Sequence, residues 1–403
     1  MTYDVDRVRH AFPALDEGAA HFDGPGGSQV AEPVAAAVAA TMRAAVANRG
    51  SVTRAEQRAE SIVVEARAAM ADLLGGAASG VVFGRSMTAL TFDLSRALAR
   101  TWAPGDEVVV TRLDHDANIR PWVIAAERAG AVVRWANFDR ETGDLAVNDV
   151  TSLLSDRTRL VAVTAASNLF GTIPDVRAVA DAAHAVGALV YVDGVHRTPH
   201  TVVDVVALGA DFYACSPYKF CGPHLGVVAA DPALLETLPP DKLLPSMNDV
   251  PERFELGTLP YELLAGTTAA VDFLASLDPD VVGDSRRARV VASMCALEAH
   301  EASLVARVDD GLRAIDGVRA LGSPARRTPT VLFSVEGMAP RDVHVALAAR
   351  GVNAPAGSFY ALEASRWAGL GDDGAVRAGL APYTNEDDVD RLLEAVTAVA
   401  VAR

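Results

Sequence analysis

The chain has 403 residues, 50% of them hydrophobic and 22% charged, with a formal net charge of −16. That length and apolar content suffice for one large α/β unit plus a smaller domain, and the acidic balance, with a pI near 5.0, argues against nucleic acid or anionic membrane as a general partner. The opening MTYDVDRVRHAFPAL lacks the apolar stretch of a signal peptide, no apolar run is long enough to span a bilayer, and Cys215, Cys221 and Cys295 show neither disulfide nor zinc spacing; a soluble cytoplasmic protein without a metal site is expected.

In chain order, two helices are predicted first, over 32–48 and 54–74. From Val81 to about Val228 short β-branched runs alternate with helical patterns. VVF at 81–83, EVVVTRL at 107–113, AVVRWANF, RLVAVTAA at 159–166, ALVYVDG at 188–194, DFYACS at 211–216 and GVVAA at 226–230 read as strands. Helices are predicted from Thr88, from Ala117 and over VRAVADAAHAVG. Continuous apolar strands alternating with helices predict a mostly parallel sheet covered on both faces. After about Leu274 a long charged-apolar helix, the strand TVLFSVEG and helices from Arg341 and Glu386 predict a smaller α+β unit. The expected division is 20–273 for the larger unit, and 1–19 with 274–403 for the smaller.

In parallel sheets of this kind, ligands sit at the carboxyl ends of the strands. GRSMTA places Gly84, Ser86 and Thr88 at a helix N-terminus, which suits a phosphate or is an ordinary cap. His115 and Asn118 follow the second strand in LDHDANIRPW; the histidine is open to metal binding, acid–base work, stacking on an aromatic ligand or a plain loop position. Asn168 in SNLFGT offers a donor and an acceptor, or forms a turn. Asp193 closes a very apolar run, with His196 three residues on, so its carboxylate is desolvated unless paired. Lys219 in SPYKFCGP and Lys242 are the only lysines in the chain, and a buried lysine has a depressed pKa and becomes an amine nucleophile. A phosphate cradle, a flat histidine, an asparagine, a carboxylate and an amine are together what pyridoxal phosphate requires.

HFDGPGGSQV, DHDANIRPW, SNLFGTIPDV, VDGVHRTPH, SPYKFCGP, RFELGT and VRAGLAPYTNEDDVDRLLEAV, in this order and spacing, resemble the class V aminotransferase family of pyridoxal-phosphate fold type I, in its cysteine desulfurase and selenocysteine lyase branch. The resemblance covers nearly the whole chain. It implies a large domain with a mostly parallel seven-stranded sheet, a smaller α+β domain, bound pyridoxal 5'-phosphate and a homodimer with shared active sites. It further implies that Lys219 forms the Schiff base and moves the α-proton, that Asp193 pairs with the pyridine nitrogen and that His115 stacks on the ring. Asn168 and His196 are then near the ring's O3 side, Asn168 also near the substrate carboxylate. Ser216, Thr88 and the N–H groups of Ser86, Met87 and Thr88 would hold the phosphate, with Tyr218 beside the lysine. Thr258 would reach the neighbouring subunit's phosphate, Arg377 would grip the substrate α-carboxylate, and Gly26 in GPGG would let backbone approach the substrate.

The sequence also departs from that family. Tyr360, in GVNAPAGSFYALEA, stands nearest the place where desulfurases carry a persulfide-forming cysteine, and no cysteine follows Cys295. Tyr218 and Asp116 replace family histidines, and Cys221 replaces a packing aromatic. The leading expectation is therefore β-elimination on cysteine or an S-substituted cysteine, which needs no protein thiol. Rival readings are an aminotransferase, epimerase or decarboxylating oxidative deaminase of a specialised amino acid, a desulfurase using an external acceptor, and a catalytically silent binding protein. Phe359, Tyr360 and Trp367 suggest an aromatic-lined substrate pocket, or ordinary core aromatics.

Overall fold

The computed structural model describes residues 3–280 and 285–402. Among them the strands are β1 (Ala20–His21), β2 (Val81–Gly84), β3 (Glu107–Thr111), β4 (Val132–Ala136), β5 (Thr158–Thr164), β6 (Leu189–Asp193), β7 (Phe212–Cys215), β8 (Gly226–Ala230), β9 (Val318–Leu321), β10 (Thr330–Val335), β11 (Val352–Asn353), β12 (Ala356–Gly357) and β13 (Ala375–Gly379). Seven form one sheet in the order β2-β8-β7-β6-β5-β3-β4. β3 to β7 run parallel, and β8 is antiparallel to both β2 and β7. The predicted strands and the mostly parallel sheet are thus present. Its central strands are apolar on both faces: Val108 and Val110 pack with Leu90, Leu98 and Trp122, while Val109 packs with Val161 and Val190. Helices covering both faces account for those uninterrupted apolar runs.

Two helices differ from the expectation. The first ends at Arg43, and Ala44 is already extended at ψ 154. None of residues 44–48 is buried, so no packing would hold a further turn. The helix expected from Ala117 is split into a 3-10 turn, Asp116–Asn118, and the helix Arg120–Ala129. Among the described residues no helix is long and apolar enough to cross a membrane.

The smaller unit is built on the antiparallel sheet β12-β13-β10-β9. Val376 and Ala378 of β13 join Phe333, Leu392 and Val396 in its core. Arg377 lies between them, and by the two-residue period of a strand it faces the other way, toward the larger unit. The helix Arg286–Arg313 spans both cores, with Val290, Met294 and Leu297 in the larger and Leu304, Val308 and Leu312 in the smaller. The N-terminal segment also joins them. Val8 and Phe12 pack in the larger core, Ala20 and Phe22 in the smaller, and β1 pairs parallel with β11.

Candidate active site

The chain leaves β3 for β4 on one side and crosses to β5 on the other, and a crevice opens where the order reverses, at the carboxyl ends of the strands. The cavity there is about 670 Å³. Lys219, Tyr218 and Ser216 come to its wall from the turn after β7. Asp193 ends β6, with His196 after it, Asn168 follows β5 and His115 follows β3. Ser86, Met87 and Thr88 open the helix Met87–Ala99. Gly26, Tyr360 and Arg377 close the side toward the smaller unit.

Lys219 is held in the 3-10 turn Pro217–Lys219, and its Nζ donates to the Pro25 carbonyl. Burial, and then the positive charge of Arg377, push the amine down to about 7, against the pull of Asp193. A neutral, nucleophilic fraction is therefore available near neutral pH. Burial pushes Asp193 up to about 6, although its Oδ1 accepts from the Val195 N–H at 2.9 Å and Lys219 draws it down. This is a carboxylate lacking a full counter-charge, suited to a cationic N–H. Burial, then Lys219 and Arg377, bring His115 down to about 4, so its imidazole is neutral. Its Nδ1 accepts from the Ala117 N–H at 3.0 Å, which assigns the ring proton to Nε2.

The start of the helix Met87–Ala99 approaches β8 closely because Gly226 lies beneath it; a Cβ on Gly226 would stand 2.1 Å from the Ser86 carbonyl carbon. The Ser86 hydroxyl caps the Ala89 N–H at 3.1 Å. The earlier N–H groups of a helix have no intrahelical acceptor and make an anion cradle, to which the buried Ser216 adds a hydroxyl.

Arg377 is buried and donates from Nη1 to the Asn168 carbonyl at 2.7 Å, while its Nε has no partner. Burial lowers its pKa to about 9 against the opposing charge of Asp23. Gly26 passes beside it: a Cβ there would be 3.7 Å from Nη2. A buried guanidinium with an incompletely used fork suits a carboxylate. Asn168 donates from Nδ2 to the Phe359 carbonyl at 2.9 Å, and its Oδ1 is buried without a partner. His196 is buried, with Nε2 3.0 Å from both Thr328 Oγ1 and Thr330 Oγ1, so it tethers the large sheet to the small one. Tyr218 stacks on His224 at 4.6 Å.

Thr258 is exposed and stands outside this cavity. The segment before it is anchored by the buried Arg67–Glu255 pair at 2.9 Å. Trp367 also lies outside the cavity: its Nε1 donates to the Phe138 carbonyl at 2.9 Å, and Arg140 lies 4.0 Å from its ring centroid. The aromatic wall is instead Phe359, Tyr360 and Phe92, the last not foreseen. A second residue missed is Asp114, fully buried below His115, which accepts from Asn118 Nδ2 at 2.7 Å and from the Thr111 hydroxyl. The signal was the i, i+4 spacing of Asp114 and Asn118 in one loop. Cys215 and Cys221 are buried and Cys295 is exposed on the helix Arg286–Arg313, so no cysteine lines the cavity. Among the described residues no group of acidic, histidine and cysteine side chains forms a metal site.

The aminotransferase class-V family model matches residues 20–392. An uncharacterized protein of Mycobacterium tuberculosis is 36% identical over 99% of this chain and 100% of its own length. A cysteine desulfurase of Dickeya dadantii is 32% identical over 97% of this chain and 95% of its own. The solved structure of an Escherichia coli cysteine desulfurase is similar with a TM-score of 0.87 and 27% identity, covering 100% of this chain and 99% of the other. With the family model spanning most of the chain and near full-length relatives on either side, the chain belongs to the class-V aminotransferase family, among cysteine desulfurase-like proteins.

Proposed function

We propose that this chain is a pyridoxal-phosphate-dependent lyase that eliminates the β-substituent of cysteine or an S-substituted cysteine, giving pyruvate, ammonia and a free thiol. The observation that carries the reading is the make-up of the cavity wall, which has an amine near neutrality, a desolvated carboxylate, a neutral imidazole and a buried arginine, and no thiol. That donor set fits pyridoxal phosphate, and the open helix N-terminus above Gly226 fits its phosphate. When bound, the cofactor supplies an electron sink for the electron pair released at Cα.

The residues divide the remaining work. Lys219 would carry the cofactor and, once freed by the substrate's amino group, take the α-proton. Asp193 would hold the proton at the ring nitrogen, while His115 would offer a flat, uncharged face. Ser86, Met87, Thr88 and Ser216 would bind phosphate, and Asn168 and His196 would border the ring oxygen, with Tyr218 packing beside the lysine. Arg377 would fix the substrate carboxylate beside Gly26, so that the Cα–H bond is presented to Lys219. Tyr360 at the mouth would contact the substrate side chain. Loss of the β-thiolate then needs no protein nucleophile.

A homodimer is part of this reading. Thr258 is exposed and follows a surface carrying exposed Leu243, Leu244, Met247 and Leu256, apolar groups suited to a second copy whose site Thr258 would complete.

The test is product analysis of the yellow holoenzyme with L-cysteine and a panel of S-substituted cysteines. Pyruvate and free thiol in equal amounts are expected. Alanine would replace the reading with desulfuration to an external acceptor, and a keto acid retaining the sulfur would replace it with transamination.

A further inference from the structure

The segment Gly24–Ala31 lies along the lysine turn and touches it repeatedly. The Pro25 carbonyl accepts from Lys219 Nζ. Gly27, at φ +156, packs so close that a Cβ there would meet Tyr218 Cδ2 at 3.3 Å. Ser28 does most of the joining. Its N–H donates to the Tyr218 carbonyl at 3.1 Å, and its hydroxyl donates to the same carbonyl at 3.3 Å. That hydroxyl oxygen in turn accepts from the Cys221 N–H at 2.7 Å. Tyr218 and Cys221 are the residues at either end of the Lys219-Phe220 pair, so one side chain holds both ends of the turn that carries the amine.

The turn requires such a hold. Cys221 sits at φ 65, in the left-handed region that a residue with a Cβ disfavours. It is fully buried, and without Ser28 its N–H would be a buried donor with no acceptor. The same segment is anchored at its other end in the smaller unit: the Phe22 carbonyl accepts from the Gly379 N–H at 2.9 Å, two residues beyond Arg377.

We propose that Ser28 is a positioning residue for Lys219: its hydroxyl clamps the lysine turn from outside the cavity and keeps the amine half-buried in the cavity wall against the Pro25 carbonyl. The proposal rests on the assignment of Lys219 as the reacting amine. The charged groups facing that amine are Arg377 from β13 and Asp193 from β6, with the His115 and His196 imidazoles and the Tyr218 ring, whose centroid is 4.9 Å from Nζ, beside them. Ser28 touches none of these side chains, so it acts through the position of the turn.

Because Lys219 and Lys242 are the only lysines, competitive acetylation with acetic anhydride, read by mass spectrometry across pH, reports Lys219 against an internal reference. In the wild-type chain Lys219 should show half-reactivity near 7. Releasing the turn lets water reach the amine, so Ser28→Ala should move that midpoint up by about one pH unit or more, with Lys242 unmoved. Ser28→Thr, which keeps the hydroxyl, should restore it. A Ser28→Ala midpoint equal to the wild type, or a Ser28→Thr midpoint displaced as far as the alanine variant's, overturns the proposal. Should Ser28→Ala not unfold cooperatively, Ser28→Cys takes its place with the same criteria. The labelling is carried out on the cofactor-free chain, because a cofactor carried on Lys219 would block its amine. Failure of the wild-type chain to take up pyridoxal phosphate would strike the functional reading and leave the Ser28 result standing.

Discussion

The Phe359 ring lies over the Arg377 guanidinium, its centroid 3.7 Å from Cζ, and the contact closes a ring of three. Arg377 donates to the Asn168 carbonyl, Asn168 donates to the Phe359 carbonyl, and the Phe359 side chain returns to Arg377. One face of the guanidinium is covered and one Nη is engaged, which leaves an edge for an anion. Phe359 achieves this from a left-handed backbone at φ 54, followed by Tyr360 at φ 59. Two consecutive residues with side chains in that region are costly, of order 1–2 kcal/mol each, and strain of this kind gathers at ligand sites.

The first prediction concerns that ring. A desolvated cation–π contact is worth about 2 kcal/mol, so Phe359→Leu should raise KM for the amino acid by about ten-fold or more while cofactor uptake stays intact. Steady-state kinetics beside a titration of the visible band separates the two. An unchanged KM would mean that the carboxylate is held without help from Phe359.

The second concerns Cys221. It follows Lys219 closely in sequence, yet burial pushes its thiol up to about 12 against the Ser28 hydrogen bond, and no part of the side chain reaches the cavity. A thiol so placed is not a sulfur acceptor. Cys221→Ala should cost about 1 kcal/mol of stability for the small cavity left behind and leave the rate of pyruvate formation unchanged. A loss of pyruvate formation by a folded, cofactor-loaded variant would give Cys221 a catalytic part.

Much of the site was legible because it lies at the ends of buried parallel strands, where each apolar run points to the residue that follows it. Lys219, Asp193, Asn168 and His115 all follow such runs, and the cavity collects them. The cover of the site was less legible. The conformation of Phe359 and Tyr360 comes from long-range bonds to Asn168 and Asp116, and nothing local in GSFYAL announces a left-handed pair. Trp367 read as either a pocket or a core aromatic, and the charged side chains that place it outside the cavity, Arg112 and Arg140, are distant in sequence. The role of Ser28 was hidden for the same reason, since its partners are nearly two hundred residues on. Two-residue strands such as β1 and β11 carry no period at all, and pairing alone makes them visible.

The third prediction follows from Asp193. Its folded pKa is about 6, raised by burial from 3.8. Between those values the folded chain binds more protons than the unfolded one, so ionisation of Asp193 lowers stability as pH rises through the window. Once ionised it costs the cofactor-free chain roughly 3 kcal/mol. Asp193→Asn should therefore gain on the wild type between about pH 4 and 6 and hold a constant lead above it, as cofactor-free urea unfolding at a series of pH values would show. A lead independent of pH would mean that Asp193 keeps its ordinary pKa and is not the poised partner of a cationic ring nitrogen.

The last prediction concerns what holds the cover in place. Arg112 lies between two indoles, 4.8 Å from the Trp135 centroid and 5.3 Å from that of Trp367, and it pairs with Glu363 at 2.6 Å. Glu363 and Trp367 belong to the helix Leu362–Trp367, which begins directly after the strained pair. Arg112 follows β3, in the run that leads to His115, so the latch ties the cover to the wall it closes. A half-exposed ion pair contributes at most about 1 kcal/mol, and each indole contact about 0.5–1 kcal/mol. Arg112→Ala should thus lower global stability modestly but speed amide hydrogen exchange across residues 358–368 by about ten-fold or more, because that segment opens locally. Arg112→Lys should rescue little, since an ammonium does not stack as a planar guanidinium does. If exchange over this segment were unchanged in both variants, the cover would be held without Arg112, by the Asn168 and Asp116 hydrogen bonds and by the contacts of Trp367 with Phe138 and Arg140. In that case the effect of Phe359→Leu on KM would also have to be independent of Arg112, which a double-mutant cycle measures directly.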